Sequence, residues 1–329
     1  MLSRIAESLY WLGRHVERAD CTARILDTYL HLLPAGSWQA DHQVIRSLLD
    51  SMGLSDDETV GAGSQADSGQ LVRALVFDGE RASSVAGALT AARENARGVR
   101  DAIPLDVWEC LNVTWHGLRT REAHGAGPHV FLRWVGERCA MANGMISEVM
   151  SHDEGWHFLV VGRSLERADM TIRLLAAAES ETGSVPPWRA LVSACGGWEP
   201  YVRSYGGSIG QRTATEFVLL DRQFPRSVLR SLTVAENSLA ELEAVGSTQA
   251  SYYTNADPRR DPSSARRIVG RTRTSLDYRT GTELAADREH LLTTLQRTVA
   301  SAHTAVTSSF FRREDAVTWA NIGADGGAA

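Results

Sequence analysis

Two strings of residues carry the chain's most distinctive chemistry. GRHVERADCTAR fills positions 13 to 24, and GRSLERADMTIR fills positions 162 to 173. Gly, Arg, Glu, Arg, Ala, Asp, Thr and Arg recur in register, 149 positions apart. Guanidinium groups at this density have two uses. They fork onto carboxylates inside the protein, or they line a cleft and grip a carboxylate or phosphate from outside. A glutamate among them either orients the arginines or moves protons. Glu17 and Glu166 are therefore the candidate acid/base residues, and no catalytic residue is otherwise assigned. Arg14, Arg18, Arg163 and Arg167 are candidate anion- or partner-binding residues. Arg93 and Arg97, from the basic ridge ARENARGVRD (92–101), are candidates for the same cleft or for pairing between helices.

Local helix energetics do not account for the strings. Arg14 with Arg18 and Glu17 with Asp20 repel; Arg14 with Glu17 and Asp20 with Arg24 attract. Each such pair is worth about 0.2–0.5 kcal/mol on an exposed helix, so the sum is near zero. The partners must lie off the helix. In one account the two helices face each other, Glu17 pairing with Arg167 and Glu166 with Arg18. In the other the arginines face a cleft. A purely solvated face is the remaining reading.

The elements that position these residues are helices. Ile5, Leu9, Leu12, Val16, Ala19, Ala23, Leu26 and Leu30 are spaced by three or four and form one stripe. Similar spacing recurs near 40–51, 81–102, 105–122, 130–150, 156–179, 225–245 and 284–310, and sustained two-residue alternation is absent. The expected fold class is all-α. The repeat extends past the charged strings: Leu75-Val76-Phe77-Asp78 precedes Ser83-Ser84-Val85, as Val218-Leu219-Leu220-Asp221 precedes Arg226-Ser227-Val228. This reads as a tandem duplication, 1–151 and 152–312, with about five helices per half packed as a pseudo-symmetric pair. The two halves together can form one structural domain. Residues 55–69 and 246–264 read as polar loops, and 313–329 as a disordered tail.

Other constellations are bland. Trp108, Asn112 and Trp115 in DVWECLNVTWHG read as core rings and a buried amide. In HDEGWH, His152, Asp153, Glu154 and His157 lack the spacing of a metal motif, and Asp153 reads as a helix cap. Ser208 in GGSIG satisfies the hydrolase elbow pattern, but no strand precedes it. Arg259, Arg260, Arg266, Arg267, Arg271, Arg273 and Arg279 form a basic stretch that either pairs with acids or docks an acidic partner. Phe310-Phe311 reads as core closure. No metal and no cofactor is expected.

Composition narrows the function classes. The net charge is −6, which argues against nucleic acid as the ligand. All 34 basic residues are arginine. Without lysine there is no Schiff base and no P-loop lysine. Cys21, Cys110, Cys139 and Cys195 lack the spacing of a disulfide framework or zinc site. The N-terminus lacks a signal-peptide pattern and no apolar run is long enough to span a bilayer, so a cytoplasmic setting without membrane contact is expected.

GRHVERADCTAR, WHFLVVGRSLERADMTIRLL and FVLLDRQFPRSV resemble the α-E family, a bacterial helical domain named for a recurrent Glu-Arg motif. ARENARGVRD and DVWECLN are similar to its pattern as well, and the resemblance spans about residues 1 to 312. The matching motif positions are Glu17, Arg18, Glu166 and Arg167, with Arg14 and Arg163 beside them. Genes of this family sit beside, or fuse to, circularly permuted ATP-grasp proteins and transglutaminase-like proteases. The resemblance thus implies an accessory protein, not an enzyme on its own. Its implied partner is an ATP-grasp-type amide ligase, with a transglutaminase-like protease as a second, in peptide synthesis or modification. A peptide or small carboxylate or phosphate is the implied ligand. The alternative is an autonomous peptide-modifying transferase or hydrolase using the duplicated Glu-Arg motifs.

Overall fold

A computed structural model of the protein describes residues 1–32, 49, 52, 73–123, 127–180, 187–250 and 263–311. Among the described residues every regular element is helical and there is no strand. The α-helices are α1 (Ser3–Leu32), α2 (Val85–Gly98), α3 (Leu105–Ala123), α4 (Pro128–Val149), α5 (Glu154–Ser180), α6 (Pro187–Ala194), α7 (Trp198–Tyr205), α8 (Gln211–Leu220), α9 (Val228–Ala250), α10 (Ala265–Asp277), α11 (Gly281–Ala286) and α12 (Arg288–Val306). Four of these lie before residue 151 and eight after it, so the described helices are not divided equally. The excess is the short helices α6, α7, α8 and α11. No helix among the described residues is long and apolar enough to cross a membrane.

α1 and α5 are the longest helices, and they form the most extensive helix contact of the molecule. α1 packs on α2 and α4, and α3 bridges those two, closing a four-helix ring. α5 packs on α9 and α12, and α10 bridges those, closing a second ring. One continuous apolar core runs through both rings. The central position of α1 changes the meaning of its pattern. Its apolar stripe is buried as expected, but so are Arg14, Glu17 and Asp20 on the opposite side. A helix covered all round must bury its polar face and then satisfy it.

Two glycines set how closely α1 and α5 approach. A Cβ on Gly13 would lie 2.1 Å from the Leu159 carbonyl oxygen, and one on Gly162 would lie 2.0 Å from that of Tyr10. Each glycine therefore presses its Cα hydrogens onto the backbone of the other helix. Contact partners climb together along the two helices, from Tyr10 opposite Gly162 to Arg18 opposite Glu166. Gly13 and Glu17 are four residues apart, as are Gly162 and Glu166, so each glutamate lies one turn beyond the closest approach and on the same face.

The helix starts follow the sequence. Asp153 Oδ1 accepts from the amides of Gly155 and Trp156 at 2.9 and 3.2 Å, capping α5. Ser84 caps α2, accepting from the Gly87 amide at 2.8 Å. Phe311 closes the core against Tyr10 and Phe158, ring centroids 5.4 and 6.0 Å apart. The expected loop from 246 begins later than its polarity indicates, because α9 continues to Ala250. The expected helix at 40–51 lies outside the described residues except at Leu49, which is buried and helical. The loop at 55–69 and the tail at 313–329 lie outside them entirely.

Alanine at either glycine tests this packing. On an exposed helix, glycine to alanine gains about 1 kcal/mol. Here Gly13→Ala and Gly162→Ala should each lose about 1–3 kcal/mol or more, because the backbones must separate. Urea unfolding of each variant reads the sign directly.

Candidate functional site: a buried glutamate–arginine network

The α1–α5 crossing brings the two charged strings together. Glu166, 1% exposed, accepts from Arg18 Nε at 2.6 Å, Arg18 Nη2 at 3.1 Å and Arg14 Nε at 2.7 Å. Glu17, with no exposed surface, accepts from Arg167 Nε at 2.8 Å and Arg167 Nη2 at 2.6 Å. Arg18 and Arg167 thus fork onto the opposite helix's glutamate with both carboxylate oxygens engaged. A second arginine completes each set, and here the halves differ. Glu166 takes Arg14 from α1. Glu17 takes Arg226 from the loop between α8 and α9, Nη1 to Oε1 at 2.7 Å.

The reason is visible in the repeat. Asp78–Ser84 and Asp221–Ser227 build the same loop: the Ser84 and Ser227 hydroxyls donate to the Asp78 and Asp221 carbonyls, and each aspartate caps amides two or three residues on. The residue before the serine is Arg226 in one loop and Ser83 in the other. With no arginine from its loop, Glu166 is completed by Arg14. With Arg226 in place, Glu17 has no need of Arg163, the repeat counterpart of Arg14. Among the described residues Arg163 donates to Asn143 Oδ1, at 3.5 Å.

Arg226 is the hub of the second set. It also donates to Asp20 Oδ2, and its Nη1 lies 3.3 Å from Cys21 Sγ. Asp20 accepts in addition from Arg24 Nε, and Asp169 from Arg173, each one helical turn on. The loop is tied to α5: Thr171 Oγ1 donates to the Arg226 carbonyl at 3.1 Å, and Arg167 Nη1 to that of Pro225 at 3.4 Å. From Glu166 a chain runs outward. Arg14 Nη1 donates to the Tyr10 hydroxyl at 3.3 Å, and that hydroxyl lies 2.9 Å from His303 Nδ1.

The electrostatics match saturated pairs. Burial alone would raise the Glu17 carboxyl, but Arg167 and Arg226 overcome it and hold it well below the usual carboxylate range. Glu166 is lowered in the same way against its burial, by Arg14 and Arg18. A glutamate without solvent access, both oxygens occupied and its proton this hard to add, is a poor general base. Burial, with Arg167 adding to it, pushes the Arg163 guanidinium down. The thiols of Cys21, Cys110, Cys139 and Cys195 are free and buried, and burial raises all four, to about 11 for Cys195. None is an activated nucleophile.

The remaining candidates lie elsewhere. Arg93 Nε donates to Asn112 Oδ1 on α3 at 3.0 Å, and its guanidinium sits 4.3 Å from the Trp115 ring centre. Arg97 pairs with Glu94 at 2.7 Å and is exposed. Among the described residues neither bonds to a glutamate of the network: Arg93 is turned toward α3 and Arg97 toward solvent. Asn112 Oδ1 is thus satisfied by an arginine side chain. On α10, Arg266 and Arg273 pair with Glu243 and Glu236 of α9 at 3.3 and 2.6 Å. Arg259 and Arg260 lie outside the described residues. Ser208 lies in the loop between α7 and α8, where its carbonyl accepts from the Tyr201 hydroxyl at 2.8 Å. That is no nucleophile elbow.

Two features escape a reading of the sequence. Arg226 meets a glutamate 209 positions away, and only its offset from the serine repeat marks it. Asp27, His31 and His129 converge where α1 ends and α4 begins. Asp27 and His31 show as a one-turn pair; nothing in the sequence joins them to His129.

An all-α chain whose core is stapled by two crossed Glu-Arg pairs matches one family model over residues 1–311, that of Alpha-E, a predicted alpha-helical domain with a conserved ER motif. The chain belongs to this family. It is also similar to uncharacterised proteins of Mycobacterium bovis and Mycobacterium tuberculosis, at 26% identity over 267 residues. The match covers 73% of this chain but only 30% of each relative, so the chain spans under a third of the relatives' length. No solved structure matches.

The network gives two expected outcomes. Arg14→Ala should cost about 3–5 kcal/mol, since it leaves Glu166 buried and half-paired. Arg163→Ala, at the matching position of the second string, should cost less by the same measurement, on the order of 1 kcal/mol, because Arg163 acts on Glu17 through its charge and its hydrogen bond is a long one to Asn143. The second concerns pH. Burial, then Arg18, pushes His15 down to about 4, and its ring stacks on Trp11 at 5.4 Å. With the folded value depressed, the unfolded chain takes up the proton first as pH falls. Stability should therefore fall between about pH 6.5 and pH 4, by on the order of 1–3 kcal/mol. His15→Phe should flatten that slope in melting curves. The depressed glutamates stay charged in the folded protein through this window, and they add to the acid loss from about pH 5 downward, as the unfolded chain's carboxylates take up protons.

Proposed function

We propose that the protein is a helical accessory subunit that works beside a peptide-bond-forming enzyme of the ATP-grasp amide-ligase type, in peptide synthesis or modification. The observation that carries this reading is the saturation of both glutamates. The residues best suited by type to catalysis are consumed in holding α1 against α5, and the thiols are buried. The family's neighbourhood of ATP-grasp and transglutaminase-like proteins supplies the partner class. The mycobacterial relatives support the modular part: their similar segment is 30% of a longer polypeptide.

A recess of about 570 Å³ next to the network supplies a place for a peptide product or tail. Its lining includes Arg24, Arg203 and Arg226, the single carboxylate Asp221, and the stacked pair Phe217 and Phe224, 4.5 Å between centroids. Guanidinium groups over an aromatic floor suit a carboxylate next to an apolar side chain. Gly197 keeps that floor open, since a Cβ there would lie 2.8 Å from both rings. The halves 1–151 and 152–312 are read as copies of one unit. The reciprocal glycine contacts and the repeated ring of helix contacts support this.

The autonomous-enzyme alternative is less favoured, because Glu17 and Glu166 are taken up by arginines and the four thiols are buried. Affinity purification of the tagged protein from its native host, followed by proteomics, should recover an ATP-dependent amide ligase in stoichiometric amount. Arg203→Glu, on the exposed rim, should weaken that complex or its binding of peptide while leaving melting unchanged. Recovery of the chain alone, with turnover of a peptide by the pure protein, would overturn the reading.

A further inference from the structure

We propose that Asp27, His31 and His129 form a binding site for one divalent transition-metal ion of the zinc class, at the junction of the α1 C-terminus and the α4 N-terminus. This goes beyond the accessory role and does not depend on it. Asp27 and His31 are one turn apart on α1, and His129 is in the first turn of α4. One ligand atom from each residue can be chosen so that all three lie within 4.8 Å of one another. The Asp27 carboxylate is the pivot: its Oδ1 lies 2.8 Å from His129 Nδ1 and 3.6 Å from His31 Nδ1. A tetrahedral ion with bonds of about 2.0–2.1 Å separates its ligand atoms by about 3.3 Å, between these two distances.

The proton bookkeeping is favourable. His31 Nδ1 lies 2.7 Å from the Asp27 carbonyl, which can only accept, so this nitrogen carries the proton. His129 Nδ1 faces a carboxylate and does the same. Binding at Nδ1 moves each ring proton to Nε2 and breaks the His31 bond to the Asp27 carbonyl, so the His31 ring turns toward the carboxylate, and no net proton need be lost. The two imidazoles are already gathered, 4.0 Å between centroids at 57°. Gathering two large polar rings from different helices around one carboxylate is most of the ordering that a metal site requires.

The donor set selects the ion. Two imidazole nitrogens and one carboxylate oxygen suit Zn²⁺, Co²⁺, Ni²⁺ or Cu²⁺, and do not suit Mg²⁺ or Ca²⁺. Three protein ligands leave a fourth position, and His31 is largely exposed, so that position faces water. A bound ion would staple the two helix ends and present an open coordination site to an external carboxylate or thiolate.

The test uses the full chain without a histidine tag, stripped with a chelator. Zn²⁺ titrated by calorimetry should bind at one ion per chain with micromolar or tighter affinity. Co²⁺ should give the strong visible absorption of a four-coordinate ion. His31→Gln and His129→Gln should each weaken Zn²⁺ binding at least about tenfold, with circular dichroism unchanged, because each removes one of three ligands. Absence of stoichiometric Zn²⁺ binding would overturn the proposal. So would binding that persists in the double variant, or a pale six-coordinate Co²⁺ spectrum.

Discussion

Two carboxylates buried at one helix crossing govern the architecture. A carboxylate taken out of water costs several kcal/mol even after the protein relaxes, and it stays charged only if cations replace the lost hydration. Glu17 and Glu166 are placed in that position by the glycines one turn before them. Gly13 and Gly162 let α1 and α5 touch backbone to backbone, which leaves no room for water beside the next turn. The arginines follow from that. Arg18 and Arg167 lie next to the glutamate on their own helix, where they reach across to the other one. The string Gly-Arg-x-x-Glu-Arg is thus a single packing device: a contact point, a charge and the clamp for the opposite charge.

The device tolerates asymmetry as long as each glutamate has two guanidinium partners. Arg226 enters from a loop on one side, and Arg14 enters from the helix on the other. Both solutions satisfy the same electrostatic requirement, and the one that uses the loop leaves Arg163 with a single long contact to an amide. Asp20 has a role that Asp169 lacks, because it shares Arg226 with Glu17 and so ties the loop to α1 a second time.

Much of this was legible in the sequence because its cause is local. Three- and four-residue spacing marks the long helices, and the recurrence of the charged strings marks the residues that meet. Near-zero pair energies along one helix point to partners elsewhere, and cross-pairing is one of the three readings they allow. What was not legible is set by tertiary packing. α6, α7, α8 and α11 have ten residues or fewer, too short to be stable alone, and glycine or polar residues flank them. Their helicity comes from the core they cover. Contacts that depend on chain return were equally hidden: Arg226 at Glu17, and His129 at Asp27. The basic ridge shows how little spacing alone says: Arg93 and Arg97 are spaced like the network arginines, but α2 presents Arg93 to the tryptophans of α3 and leaves Arg97 exposed.

The network also limits how the molecule can respond to a ligand. α1 and α5 are held by six hydrogen bonds between four arginines and two glutamates on their shared face, counting the Arg226 contact. Sliding one helix past the other would strand a buried charge, so that pair is the fixed frame. Arg226 is the member on a loop, and it lines the recess with Arg24 and Arg203. A carboxylate entering there would meet Arg203 first, which is exposed and forms no ion pair among the described residues. If it drew Arg226 away, Glu17 would keep Arg167 alone and Asp20 would keep Arg24 alone. The cost of that loss exceeds what one new ion pair returns near the surface. An occupant of that recess would therefore have to add to the existing pairs without replacing them.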